Sequence, residues 1–280
     1  MEALLTSARR RESVLVAGMD PHPGRLPPEI SARDIPEYEA VREFCLRTLE
    51  AVEPEAAAAK LQAAFFERLG PEGMAVYGEV IRAAHELDLP VISDVKRGDI
   101  GPVAAAYAEA HLSVYGADCV TVNPYMGADA VRPFLEEARR LGRDGVFSLV
   151  ATSNPSAREL QDSGEPPLFE RAARLVAELG EVRGGYSDAG AVVGATRPEV
   201  GARVRKLLPE ALFLVPGFGA QGGSARSIAN MLDERGSGVL VNSSREILYA
   251  YESGKGDYRA LARRAAARAK ENLRAAGARP

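Results

Sequence analysis

Pro90-Val91-Ile92-Ser93-Asp94-Val95 is a short apolar run rich in β-branched residues, and a second run, Cys119-Val120-Thr121-Val122, follows it after a helix-like stretch at 103–115. A strand, an amphipathic crossover and another apolar strand are the parts of a parallel βαβ unit. The pattern repeats outward in both directions. Runs at 14–19, 56–62, 90–95, 119–122, 146–151, 191–194, 212–215 and 239–241 read as eight strands. Several lack polar alternation, as suits parallel strands covered on both faces. Helix-like segments lie at 37–49, 72–87, 103–115, 130–141, 168–179, 197–207, 224–233 and 258–276. Eight such units predict an α/β fold, a single (β/α)8 TIM barrel domain over residues 1–280, with its active site at the C-terminal ends of the strands. An open doubly wound sheet would show fewer strands and often a glycine fingerprint after the first. Here the first strand ends in Gly18-Met19-Asp20-Pro21-His22-Pro23, which holds no such fingerprint.

Composition narrows the function classes. The 280 residues carry a net charge of −4 and no Trp, so neither a basic field nor basic–aromatic clusters point to nucleic acid. No run approaches a membrane span, and residues 1–13 do not read as a secretion signal, so a cytoplasmic location is expected. Cys45 and Cys119 fall in an apparent helix and an apparent strand and read as buried packing. His22, His85 and His111 lie far apart without metal-ligand spacing, and no metal site is expected. Of 35 basic residues only five are Lys, so a Lys at a strand end draws notice.

At the strand ends the polar residues are Asp20, Lys60 with Gln62, Asp94 with Lys96, Asn123, Thr152 with Ser153, the glycine loop 217–223, and Ser243-Ser244-Arg245. In an extended strand Asp94 and Lys96 share a face, because residues two apart point the same way. A buried Asp–Lys pair is costly unless other charges compensate it, and Lys60 ends a neighbouring run. Asp99, just past the strand, reads equally as a helix cap. Glycines at 217–223, a following helix start and the guanidinium of Arg245 suit a phosphate, which such barrels commonly bind after strands seven and eight. Phe65-Phe66 reads as core, and the Pro-rich stretch 21–36 as a spacer.

Asp94-Val95-Lys96-Arg97-Gly98-Asp99-Ile100 resembles the D-x-K-x-x-D-I signature of the orotidine 5′-phosphate decarboxylase family. The resemblance extends through Ala59-Lys60-Leu61-Gln62, Val122-Asn123-Pro124-Tyr125, Thr152-Ser153-Asn154-Pro155, Pro216-Gly217-Phe218-Gly219-Ala220-Gln221-Gly222 and Asn242-Ser243-Ser244-Arg245. The longer bacterial (type 2) subfamily is the nearest match. The resemblance implies cofactor-free decarboxylation of orotidine 5′-phosphate to uridine 5′-phosphate and CO2, the last step of de novo pyrimidine synthesis. It implies Lys96 as proton donor to C6, Asp94 beside the departing carboxylate, and Lys60 orienting Asp94. Asp99 would come from the partner of a homodimer. Asp20 would hold a ribose hydroxyl, Ser153 would read the pyrimidine, Gln221 and Arg245 would grip the phosphate, and Asn123 would line the substrate site. Val103 stands where the family commonly has a Thr that contacts ribose across the dimer. A Mg²⁺-dependent sugar-phosphate relative and a nucleotide-binding barrel without turnover are the competing readings.

Overall fold

The computed structural model describes residues 1–217 and 225–280. Among these, nine strands join one sheet: β1 (Leu15–Met19), β2 (Ala58–Gln62), β3 (Val91–Arg97), β4 (Cys119–Val122), β5 (Gly145–Ala151), β6 (Val182–Arg183), β7 (Tyr186–Val193), β8 (Ala211–Val215) and β9 (Val239–Ser243). The order is β5-β4-β3-β2-β1-β9-β8-β7-β6, and a further parallel pairing of β5 with β7 closes the ring. Eight strands are therefore parallel and form the barrel, while β6 is a short antiparallel addition to β7. The expected TIM barrel is what the chain forms.

Each crossover helix lays an apolar stripe on the strands. Leu168–Leu179 buries Phe169, Ala173 and Val176, one residue per turn on a single face. Tyr258–Ala275 starts at Asp257, whose carboxylate accepts from the Arg259 amide, and buries Tyr258, Ala262, Ala266, Ala269 and Leu273. Helix 101–108 runs on into a π-helical turn at Glu109–Val114. Cys45 and Cys119 are both buried and free, as expected.

Two features depart from the sequence reading. The sixth barrel strand begins at Tyr186 rather than 191, so the polar Ser187 and Asp188 are inside it. Asp188 is tolerated there because Arg139 Nε donates to its Oδ2 at 2.7 Å. The second is a helix at Glu2–Arg11, which periodicity had not marked. Its Leu4, Leu5 and Ala8 pack with Val16, Ala58, Ile92, Phe147 and Leu240 in a cluster separate from the main core. Asp144 fixes its start, accepting from the amides of Ala3 at 2.8 Å and Leu4 at 2.7 Å. The helix stoppers the barrel at the end opposite the strand C-termini.

Leu4 is fully buried in that stopper. Truncating it leaves a cavity against the lowest side-chain layer, so Leu4→Ala should cost about 2–5 kcal/mol in urea unfolding. A cost below about 1 kcal/mol would mean that the helix does not seal the barrel.

Candidate active site

β3 supplies the centre of the site by leaving regular pairing. Its register with β4 runs from Ser93↔Val120 to Arg97↔Val122, so four steps of β3 face two of β4. The two extra residues form a bulge, and within it Lys96 has φ 46°, a left-handed value rare outside Gly. Asp94 and Lys96 do share a face, as expected. The bulge and the left-handed turn bring them together, rather than plain strand alternation.

Asp94 is buried, and four donors converge on its carboxylate. Lys60 Nζ donates to Oδ2 at 2.8 Å, and Gln62 Nε2 donates to the same oxygen at 3.2 Å. Lys96 Nζ donates to Oδ1, and Thr121 Oγ1 donates to Oδ1 at 2.9 Å. Burial alone would push the Asp94 carboxyl up, but the ammonium groups of Lys60 and Lys96 outweigh it and hold the group well below the usual carboxylate range. Burial likewise works against the charge of Lys60, yet Asp20 and Asp94 raise it to about 12. Asp20 Oδ1 stands 3.6 Å from Lys60 Nζ and has no hydrogen-bond partner among the described residues, leaving acceptor capacity at the mouth. The result is a Lys96–Asp94–Lys60–Asp20 row of alternating charge.

The row forms one wall of a cavity of about 500 Å³ at the C-terminal ends of the strands. Ser153 and Arg245 line it, as do Gly217 and the apolar Leu149, Val192 and Leu214. Gly194 lets the β5 loop come close, since a Cβ there would stand 2.9 Å from the Ser153 backbone. Gly18 does the same for the end of β9, where a Cβ would meet Ser244 Oγ at 1.8 Å. The loop bearing Ser153 is braced from behind. Gln161 Oε1 accepts from the Thr152 amide at 2.9 Å, and Gln161 Nε2 donates to Thr152 Oγ1 at 2.7 Å. Arg245 is exposed and has no ion pair among the described residues, so its fork is available to an anion.

Not every expected residue joins this cavity. Asn123 is exposed and outside the lining; its Oδ1 accepts from the Tyr125 amide and caps the short turn after β4. The chain has already left the strand there, so alternation from Thr121 no longer applies. Asp99 is also outside its own chain's cavity, with Oδ1 accepting from the Ile100 amide. Gln221 lies outside the described residues. Conversely, Thr121 was not singled out in the sequence, although it is the polar side chain in an otherwise apolar run. Phe65 lines the cavity, whereas Phe66 is core as expected. His22 and Arg25, from the supposed spacer, also line it. They are fastened there: Tyr249 Oη accepts from the His22 amide at 2.8 Å, and Arg25 stacks 3.7 Å from the Tyr249 ring centroid.

Removing one ammonium should expose how much of this wall is held by charge. Lys60→Met leaves Asp94 under-compensated, at an expected cost of about 3 kcal/mol near neutral pH. A raised Lys pKa contributes stability below its unfolded value and loses it as pH rises toward about 12. The gap between the two proteins in urea midpoint should therefore narrow as pH climbs above about 10. An equal gap at both ends of that range would contradict the charge account.

The chain's likeness to known proteins agrees with this geometry. Residues 14–259 match the family described as Orotidine 5′-phosphate decarboxylase / HUMPS. An orotidine 5′-phosphate decarboxylase of Rhodopirellula baltica is 43% identical over 260 residues, covering 87% of this chain and 86% of that one. The Deinococcus radiodurans protein of the same name is 42% identical over 254 residues, covering 89% of each. Among solved structures, OMP decarboxylase of Leishmania donovani superposes with TM-score 0.80 at 36% identity, covering 99% of this chain and 97% of that one. A putative orotidine-monophosphate-decarboxylase from Toxoplasma gondii gives TM-score 0.85 at 33% identity, covering 99% of this chain and 96% of that one. With barrel, charged row and near full-length relatives in agreement, the chain belongs to the orotidine 5′-phosphate decarboxylase / HUMPS family.

Proposed function

We propose that this chain decarboxylates orotidine 5′-phosphate to uridine 5′-phosphate and CO2 without a cofactor, the last step of de novo pyrimidine synthesis. The observation that carries the proposal is the buried Asp94 carboxylate held between the ammonium groups of Lys60 and Lys96. The C6–carboxylate bond breaks heterolytically, CO2 leaves, and the electron pair stays at C6, where the ring cannot delocalise it well. The Lys96 ammonium stabilises that charge and then gives its proton to C6. Asp94 lies beside the departing carboxylate and fixes Lys96, while Lys60 orients Asp94 and reaches toward the ribose. Asp20, whose Oδ1 has no hydrogen-bond partner among the described residues, accepts from a ribose hydroxyl. Ser153 reads the pyrimidine edge. Arg245, with Gln221, grips the phosphate, and this distant binding energy helps order the site around the ring. Asn123 is retained as a substrate-side residue only through its place in the motif. The whole chain acts as one barrel domain in the cytoplasm, with neither nucleic acid nor membrane as partner.

The same reading makes the active form a homodimer that brings the partner's Asp99 to the site. Its support is local. Ile100 and Val103, which follow Asp99 in the chain, and Tyr125 and Met126 after β4 are all about half exposed or more. Large apolar side chains left exposed in this way suit a subunit interface.

The competing Mg²⁺-dependent sugar-phosphate chemistry would need acidic ligands. Among the described residues no group of three or more His, Cys, Asp or Glu is placed to hold a metal ion, and Lys60 occupies the wall. Turnover should therefore be read as loss of orotidylate absorbance with EDTA present. It should persist, and Lys96→Ala should lower kcat by about 10³-fold or more. Loss of turnover on chelation would favour the metal-dependent reading, and uridylate binding without CO2 release would favour a silent binder. Mixing Lys96→Ala with Asp99→Ala chains should restore about a quarter of the activity, because half of the randomly paired dimers contain one intact site. No recovery on mixing would overturn the shared site.

A further inference from the structure

The family reading assigns roles to charged residues but leaves open what holds Lys96 in its unusual backbone conformation. We propose that Thr121 is the positioning residue for the proton donor: its hydroxyl ties the Lys96 backbone to the Asp94 carboxylate, and so fixes where the Lys96 ammonium points. The proposal rests on the decarboxylase reading for its kinetic consequence, though not for its structural one.

Ejecting two residues from the β3–β4 ladder removes the Lys96 amide from regular pairing, and a buried amide without an acceptor is costly. That amide donates to Thr121 Oγ1 at 2.9 Å. The same oxygen donates its proton to Asp94 Oδ1, also at 2.9 Å. The direction of both bonds is fixed by chemistry. An amide N–H cannot accept, and an ionised carboxylate cannot donate, so the hydroxyl has one orientation that satisfies both neighbours. Thr121 itself is 1% exposed, sits in β4 and lines the cavity. Lys96 Nζ returns to the same Oδ1. Backbone, hydroxyl, carboxylate and ammonium thus close a ring whose members are all anchored on two adjacent strands.

The Thr121 hydroxyl is the acceptor that holds that amide, and removing it takes away this tie. Lys96 would then be free to leave the left-handed region, and an extended backbone there would swing the side chain away from Asp94. A proton donor must be placed before the charge develops, and small displacements of such groups are expensive in rate. The effect belongs to kcat, since Thr121 Oγ1 bonds the Lys96 amide and the Asp94 carboxylate, the groups that the reading places beside the reacting carbon.

The test compares Thr121→Val, which keeps the shape and removes the hydroxyl, with Thr121→Ser, which keeps the hydroxyl. Thr121→Val should lower kcat about 100-fold while KM stays within about 3-fold, and Thr121→Ser should remain within about 5-fold of the parent in kcat. A purely structural role would lower the unfolding midpoint without changing kcat per folded molecule. An unchanged kcat in Thr121→Val, an equal loss in Thr121→Ser, or a loss confined to KM would each overturn the proposal. Amide hydrogen exchange supplies a readout independent of turnover. The Lys96 amide should be protected in the parent and in Thr121→Ser, and should exchange at least about 10-fold faster in Thr121→Val. Equal protection in all three overturns the proposal even if the parent decarboxylates orotidylate. If the parent shows no turnover but Thr121→Val loses protection, the positioning stands and the decarboxylase reading fails.

Discussion

A carboxylate with four donors around it, buried at the mouth of a barrel, is the constraint on which the rest of the site depends. Desolvating Asp94 alone would neutralise it, and desolvating Lys60 alone would discharge it. Together they remain charged, because each is the other's counterion and Asp20 continues the row. The surrounding structure answers to that need. β2 carries Lys60 and Gln62 to one carboxylate oxygen, while the bulge in β3 and the hydroxyl from β4 bring Lys96 and Thr121 to the other. Three adjacent strands are required, and only their fixed register in a closed sheet holds the partners within hydrogen-bond distance.

The barrel supplies that rigidity by being sealed at the other end. The helix at Glu2–Arg11 fills the bottom with Leu4, Leu5 and Ala8, so the apolar layers beneath the charged row are packed rather than hydrated. The mouth is closed on one side by fastening the loop after β1 to the segment after β9. Arg25 pairs with Glu252 and stacks on Tyr249, and Tyr251 Oη donates to the Arg25 carbonyl. The β5 loop is set by Gln161 and by Arg197, whose Nη2 donates to Asp162 Oδ2 at 2.7 Å. Each brace lies behind a residue that faces the cavity, which is how a rigid scaffold holds a site.

The sequence disclosed the barrel because its apolar runs are continuous and evenly punctuated, and a buried parallel strand needs no more than that. It disclosed Asp94, Lys96 and Lys60 because charges at the ends of such runs have no innocent place. What stayed hidden depends on long-range partners. Asp188 looked too polar for a strand until Arg139 from another element paired with it. The Glu2–Arg11 helix was obscured by three consecutive arginines, of which Arg11 turns inward to bond Ser7 Oγ and the carbonyl of Leu87. Thr121 is an ordinary β-former by propensity, and its role exists only because β3 bulges opposite it. The placement of Asn123 was hidden too, since the motif that includes it runs past the end of β4 into a capped turn.

The central claim is that a fixed ammonium on Lys96 faces C6 of the pyrimidine and exchanges a proton with it. The most direct measurement is proton NMR of uridine 5′-phosphate incubated with the protein in D2O. Such a donor can also run in reverse, so the account predicts protein-catalysed exchange of the C6 hydrogen for deuterium, abolished in Lys96→Ala while the nucleotide still binds. Exchange that persists in Lys96→Ala at the parent's rate would contradict the account and assign the proton to another group.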